Sequence, residues 1–373
     1  MLREREVSAT MADAFSGTMP VAERQRFDTV KLQAWLRANV DGFDDGGAPI
    51  TVEQFKGGQS NPTFRITAGK AGAGARRYVL RRKPAGKLLP SAHAVDREYR
   101  VITALRDTDV PVARTYGLCQ DESVIGTAFY IMDCVEGRVL WDPALPGLSA
   151  AERRAIFLEM NRVIAALHQV DYVKVGLAEY GKPGNYIERQ VARWTKQYRA
   201  SETETIDAMD RLITWLPANI PPGDETSIVH GDYRLDNLMF HPTEPRIVAV
   251  LDWELSTLGH PLADFAYHCM NWQIPAGMFR GLGGLNLAAL GIPPADEYVA
   301  RYCKATGRAA INPDHWDFYV AYNLFRGAAI LQGIMGRVKD GTAASKQAVE
   351  AGRAARPMGE LAWQQVEKIL ARK

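Results

Sequence analysis

Between His230 and Asp252, a span of 23 positions, this 373-residue chain carries in order the side chains that phosphoryl transfer needs. His230-Gly231-Asp232-Tyr233-Arg234-Leu235-Asp236-Asn237 is followed, past a turn, by Val250-Leu251-Asp252-Trp253-Glu254 at the end of an apolar run. In such chemistry one carboxylate orients an attacking hydroxyl and accepts its proton. A side-chain amide and a second carboxylate hold magnesium against phosphate oxygens. The pattern assigns Asp232 the first task, and Asn237 and Asp252 the second. The spacing to Asn237 favours Asp232 over Asp236 as the base. His230 reads as a hydrogen-bonding brace for the loop, and Asp264, in His260-Pro261-Leu262-Ala263-Asp264-Phe265, as a second brace.

Stepping outward from these residues, the flanking pattern predicts strands over Ser227–His230 and Ile247–Leu251, paired around the signature, with a turn at residues 241–245. Upstream, Leu32, Trp35, Leu36 and Val40 predict a helix capped by Asp28. Strands are expected over Ile50–Phe55, Thr63–Thr67, Tyr78–Arg82, Ala113–Leu118 and Thr127–Met132, with a helix over Ala92–Arg106. After Asp133-Cys134-Val135-Glu136-Gly137 the pattern turns helical. Ser149 and Glu152 form a capping box ahead of an apolar face from Ile156 to Leu167. Helical spacing resumes over residues 185–215, a Gly/Pro-rich loop spans Pro275–Pro294, and helices cover Phe318–Val338 and Gly359–Leu370. The chain therefore reads as α+β, a small antiparallel sheet with one helix followed by a mostly helical part.

A glycine loop joins the strands Ile50–Phe55 and Thr63–Thr67, the first two of the upstream set. Gly57 and Gly58 permit close backbone approach to phosphate oxygens, and Ser60 and Asn61 can donate hydrogen bonds to them; a plain hairpin turn is the competing reading. On the third strand Arg81 is the candidate phosphate-binding cation, with Glu98 on the next helix as its ion-pair partner. Strand alternation puts Val79 and Arg81 on one face and Leu80 and Arg82 on the other, which leaves open which cation points inward.

At these residues the chain resembles the aminoglycoside/choline phosphotransferase family, small-molecule kinases with a protein-kinase-like fold, from about Leu32 to the last helix. The resemblance implies two lobes: a loose arm over residues 1–27, a nucleotide-binding N-lobe over 28–134, and a C-lobe over 135–373 with the catalytic loop and substrate pocket. It implies ATP and Mg2+ as cofactors, Asp232 as base, Asn237 and Asp252 as metal ligands, and adenine contacts from the backbone of Asp133 and Val135, with Met132 behind the ring. Many members carry lysine where Arg81 stands. The tract from Tyr78 to His93 is similar to the kinase-like domain fused to some acyl-CoA dehydrogenases, which implies hydroxyacyl thioesters of coenzyme A as acceptors.

Composition narrows the partners. A net charge of +2 marks no general nucleic-acid or membrane surface. No apolar run approaches the roughly 20 residues that span a bilayer. Cys119, Cys134, Cys269 and Cys303 form no C-x-x-C pair and read as reduced thiols of a cytoplasmic protein. The charged start, Met1 to Glu6, leads into no signal-peptide core. Within Phe318–Arg353 two acidic residues face five basic ones, Arg326, Arg337, Lys339, Lys346 and Arg353. A polycation pocket would want the reverse, so the lean is towards a neutral or anionic small-molecule hydroxyl; an exposed helix face is the plainer reading of those charges. An aminoglycoside antibiotic kinase and a non-catalytic nucleotide-binding regulator are the alternatives. A protein kinase is disfavoured, since no Asp-Phe-Gly or Ala-Pro-Glu pair follows the loop. Sequence leaves the oligomeric state open.

Overall fold

The computed structural model describes residues 17–57, 61–69, 74–84, 94–342 and 345–373. The described residues gather into two compact units. The first runs through Pro146 and takes in Val175–Leu177 and Leu235–Ser256; the second holds Gly147–Lys174, Ala178–Arg234 and Thr257–Lys373.

The first unit is built on a six-stranded antiparallel sheet of β1 (Thr18–Pro20), β2 (Thr51–Phe55), β3 (Thr63–Ala68), β4 (Arg76–Arg82), β5 (Thr115–Cys119) and β6 (Phe129–Asp133), in the order β1-β2-β3-β4-β6-β5. Helix α1 (Thr29–Asn39) starts where Asp28 accepts the amides of Val30 and Lys31, and it sets Leu32 and Leu36 into the sheet core beside Phe64, Ile66, Leu80 and Ile131. Helix α2 (Val95–Leu105) buries Val95, Glu98, Val101, Ile102 and Leu105, the apolar ones at helical spacing. Residues 18–20 and 23–25, expected as part of a loose arm, instead form an edge strand and a 3-10 turn. Three residues are too few for periodicity to show. Side chains secure them: Thr18 donates to Glu53 at 2.9 Å, and Arg65 reaches both.

The alternation left open on β4 is settled by its neighbours. Arg82 lies over the edge-to-face pair of Phe27 and Phe64, 5.1 Å from each centroid, and donates to the backbone carbonyl and side chain of Gln25. Arg81 points to the other face. A second, three-stranded sheet in this unit pairs Leu238–Phe240 with both Ile247–Val250 and Arg138–Val139.

The second unit is helical: α3 (Ala150–Gln169), α4 (Tyr186–Ala200), α5 (Asp207–Ala218), α6 (Pro261–Cys269), α7 (Ala295–Ala305), α8 (Pro313–Lys339) and α9 (Ala355–Ala371), with a two-stranded ribbon of Ser227–Val229 and Thr257–Gly259. The capping box at Ser149 and Glu152 opens α3. The strands expected to pair around the signature do not pair with each other: Ile247–Val250 turns back on the nearer Leu238–Phe240, and Ser227–Val229 takes Thr257–Gly259, farther along the chain. The helical stretch after Asn185 breaks at residues 201–206 into α4 and α5.

Helix α6 opens with Pro261 and uses His260 as its cap, whose Nδ1 accepts the Leu262 amide at 3.2 Å while Nε2 meets the Tyr319 hydroxyl at 3.1 Å. An Nδ1 that accepts must be unprotonated, so His260 is neutral with its proton on Nε2. Burial holds the pKa of His260 down to about 4, and burial does the same to His268, whose Nε2 meets Tyr298.

Two outcomes are expected. Arg82→Met should remove the Gln25 bonds and both ring contacts, lowering unfolding free energy by about 2 kcal/mol in a denaturant titration and exposing residues 17–27 to proteolysis. Between about pH 6.5 and 4 the unfolded chain binds a proton at His260 that the folded chain refuses, so stability is full above that window and drains as pH falls through it. His260→Asn keeps a cap and should remove about 2 kcal/mol of that acid loss, read from denaturant titrations at pH 6.5 and 4.5.

Candidate functional site

In the first unit, β4 brings Arg81 beside α2. Arg81 Nε lies 2.7 Å from Glu98 Oε2, and its Nη2 donates to Asp252 Oδ1 at 2.8 Å. Glu98 is almost fully buried, at 1% exposure, and meets two further donors: the Asn61 amide at 2.6 Å and the Tyr130 hydroxyl at 3.1 Å. Burial alone would lower the pKa of Arg81 and raise that of Glu98, but Glu98 reverses the first effect and keeps Arg81 firmly charged. We take the pair as ionised, because a guanidinium does not give up its proton and three donors face the carboxylate.

Asn237 and Asp252 meet through a hairpin. Leu238–Phe240 pairs with Ile247–Val250, and the Leu251 amide donates to the Asn237 carbonyl at 2.8 Å, which sets Asn237 beside the residue preceding Asp252. Asp252 takes the left-handed backbone conformation, φ 60°, which its short polar side chain tolerates better than most. The next residue, Trp253, is anchored by its indole N–H on the Val250 carbonyl at 2.9 Å. Asp252 is about a third exposed, at 35%, and among the described residues Arg81 engages Oδ1 alone. A carboxylate with one oxygen not engaged among the described residues, on a segment whose backbone bonds to Asn237, offers oxygen donors of the kind that suits magnesium brought with a phosphate ligand.

The remaining candidates in this unit are placed as follows. Asn61, read as a phosphate donor, turns its amide onto Glu98 and is buried. Gly57 is half-buried, whereas Gly58 and Ser60 lie outside the described residues. Asp133 ends β6; its amide donates to the Arg114 carbonyl at 2.8 Å and its carboxylate accepts from the Tyr116 hydroxyl at 2.5 Å. Val135 and Met132 are half-buried.

In the second unit, the loop after Ser227–Val229 carries Asp232. Asp264, from α6, accepts the amides of His230 and Gly231, both at 2.8 Å, and His168 Nε2 lies 3.2 Å away. An ionised carboxylate can only accept, so His168 Nε2 carries a proton; His168 Nδ1 lies 2.7 Å from the Tyr302 hydroxyl. Burial opposes the charge on Asp264, but His168 and the backbone donors outweigh it and its pKa is lowered. His230 Nδ1 accepts the Asp232 amide at 3.2 Å, so the loop is braced from both sides. The Asp232 carboxylate accepts from the Tyr267 hydroxyl at 2.5 Å and pairs with Arg234 Nε at 3.2 Å.

Some of these partners escaped the sequence reading. Tyr267 is three residues beyond Asp264 on one helix, and that spacing alone would have put both on one face. Arg326 was weighed as part of an exposed face; it is 8% exposed and its Nη2 donates to the Gly231 carbonyl at 2.7 Å. A lone charge inside an apolar helix was the available signal. Arg337, by contrast, is exposed. The four cysteines are free thiols, three buried and Cys134 half-buried. Among the described residues no helix is long and apolar enough to cross a membrane.

Comparison with known proteins matches this arrangement. The model of the phosphotransferase enzyme family (APH) fits residues 51–319. Acyl-CoA dehydrogenase family member 10 of Mus musculus is 46% identical over 348 residues, 93% of this chain but 32% of its own length. Acyl-CoA dehydrogenase family member 11 of Homo sapiens is 40% identical over 91% of this chain and 43% of its own. The chain thus spans from about a third to less than half of these curated relatives. A Ralstonia eutropha JMP134 protein, assigned as an aminoglycoside phosphotransferase, superposes with a TM-score of 0.84 at 60% identity, covering 92% of this chain and 99% of the other. Choline kinase from Cryptosporidium parvum Iowa II shares the fold at 12% identity, with a TM-score of 0.61 over 92% of this chain and 97% of its own. With its antiparallel N-terminal sheet, helical C-terminal part and braced Asp232 loop, the chain belongs to the phosphotransferase enzyme family, as a small-molecule phosphotransferase of protein-kinase-like fold.

Proposed function

We propose that this phosphotransferase moves the γ-phosphate of ATP to a hydroxyl of a neutral or anionic small molecule, with a hydroxyacyl-CoA as the acceptor class. Asp232 is the base. It receives the proton of the acceptor hydroxyl, and the Tyr267 hydroxyl and Arg234 hold its carboxylate in place. Asn237 and Asp252 hold the magnesium, which supplies charge neutralisation along the phosphates. Arg81, anchored on Glu98, steadies the phosphates with the glycine loop at Gly57, Gly58 and Ser60. Asn61 belongs with Glu98 as a brace. Asp133 and Val135 supply backbone contacts for the adenine. The N-lobe over residues 28–134 carries the nucleotide, and the C-lobe over 135–373 the catalytic loop and the acceptor.

The observation that carries the acceptor class is the company Asp232 keeps. Within its own unit the carboxylate pairs with Arg234, and Arg326 donates to the adjoining peptide from a buried position. Two guanidiniums beside the base repel a cationic acceptor and favour an anionic one. The acyl-CoA dehydrogenase relatives suggest the thioester. An aminoglycoside acceptor is the second reading, favoured by the assignment of the Ralstonia protein.

The test is magnesium-dependent ATP consumption against aminoglycosides, choline-like alcohols and hydroxyacyl-CoA thioesters, with turnover on the last expected. Turnover confined to aminoglycosides would overturn the acceptor class. Silence on all three, with ATP still bound, would favour a nucleotide-binding regulator. Asp232→Asn should lower kcat by about 10²–10⁴-fold while ATP still raises the melting temperature. Asp252→Ala should raise the magnesium concentration needed for half-maximal turnover about tenfold or more; an unchanged requirement would remove Asp252 from the metal site.

A further inference from the structure

Arg326 sits where charge is costly. Its neighbours along α8, residues 318–325 and 327–329, are all buried, and so is Arg326 itself. Placing a permanent cation in such a row is tolerated only when fixed partners replace its water. Arg326 has three. Its Nη2 donates to the Gly231 carbonyl at 2.7 Å, and its guanidinium lies 4.8 Å from the Tyr267 ring centre and 5.5 Å from that of Trp194. Helices α4, α6 and α8 each contribute one of these side chains, and Arg326 carries the bond to a single peptide of the loop. That peptide belongs to Gly231, at φ 80°, a conformation a larger residue would resist. The Tyr267 ring covered by Arg326 carries the hydroxyl that donates to Asp232 Oδ1 at 2.5 Å.

We infer that Arg326 and Tyr267 are positioning residues for Asp232: Arg326 fixes the peptide before the aspartate, and Tyr267 fixes the rotation of its carboxylate. The inference rests on Asp232 as the base. The two contacts form one device, because the cation that holds the Gly231 carbonyl also packs the ring that holds the carboxylate. Near-attack geometry tolerates little displacement, so loosening either end lowers turnover more than nucleotide binding. Lysine is no substitute at 326, since an ammonium has no planar face to lie between two rings while donating to a carbonyl.

The experiment uses the full chain and four variants, Tyr267→Phe, Arg326→Met, Arg326→Lys and Asp232→Asn. MgATP turnover is measured with water and with a hydroxyacyl-CoA as acceptor, alongside melting temperature and amide hydrogen exchange over residues 228–236. Expected are a tenfold or greater loss of kcat in Tyr267→Phe and Arg326→Met with the ATP KM within twofold, no recovery in Arg326→Lys, and faster exchange at Gly231 and Asp232 in Arg326→Met. A folded Tyr267→Phe that turns over at the wild-type rate, beside an inactive Asp232→Asn, would overturn the inference, as would unchanged exchange in Arg326→Met. Turnover surviving in Asp232→Asn would instead sink the base assignment, leaving exchange to decide the loop claim. Should Arg326→Met not fold, Tyr267→Phe and Arg326→Lys decide it.

Discussion

A carboxylate taken out of water must find donors before anything around it can pack, and Asp264 is the group on which the Asp232 loop depends. It is 5% exposed and accepts from the amides of His230 and Gly231, with His168 supplying a side-chain donor. Two successive amides aimed at one carboxylate fix the loop backbone just ahead of Asp232. The order of the segment follows from this demand. Helix α6 must begin at Pro261 so that Asp264 falls in its first turn, where the helix N-terminus also favours negative charge. His260 must then cap it, and the cap in turn engages Tyr319 on α8. Each step satisfies a polar group that the previous one buried.

The first unit meets the same constraint with different chemistry. Glu98 lies inside an apolar sheet-and-helix core, and its three donors come from the loop before β3, from β4 and from β6. Removing one partner would leave the others facing an under-satisfied charge, which is why such pairs are costly to break even where they add little net stability. Tyr130 shows the reciprocal effect: burial, and Glu98 beside it, push its hydroxyl pKa well up and keep it a donor.

How much of this was legible depends on the kind of signal. Elements with a repeating apolar face could be read directly: the α1 face at Leu32 and Leu36, the capping box at Ser149, and the long α8 all lie where periodicity put them. The signature residues stand out by type and spacing, because that order of carboxylate, amide and carboxylate suits few other tasks. Pairings between strands distant in sequence were not legible, and Ser227–Val229 and Ile247–Val250 each took another partner. Nor was the edge strand at Thr18–Pro20, whose stability comes from Arg65 and Glu53 across the sheet. Arg326 escaped because charge counts treat every arginine as solvated, whereas its partners come from helices far apart in sequence.

Arginine in place of lysine at position 81 follows from the same accounting. A lysine at this position would offer a compact point charge; a guanidinium offers a fork. Arg81 uses the fork to reach two carboxylates, Glu98 through Nε and Asp252 through Nη2, so neither is left facing the other unscreened. One guanidinium thus serves two carboxylates, and the trio keeps a net negative charge. On the Asp252 side the arrangement leaves the second oxygen unengaged among the described residues. A cation arriving at that oxygen would therefore share the carboxylate with Arg81. Occupancy of Asp252 and the direction of Arg81 are linked through one hydrogen bond, so the side chain proposed to steady the phosphates also orients the proposed metal ligand.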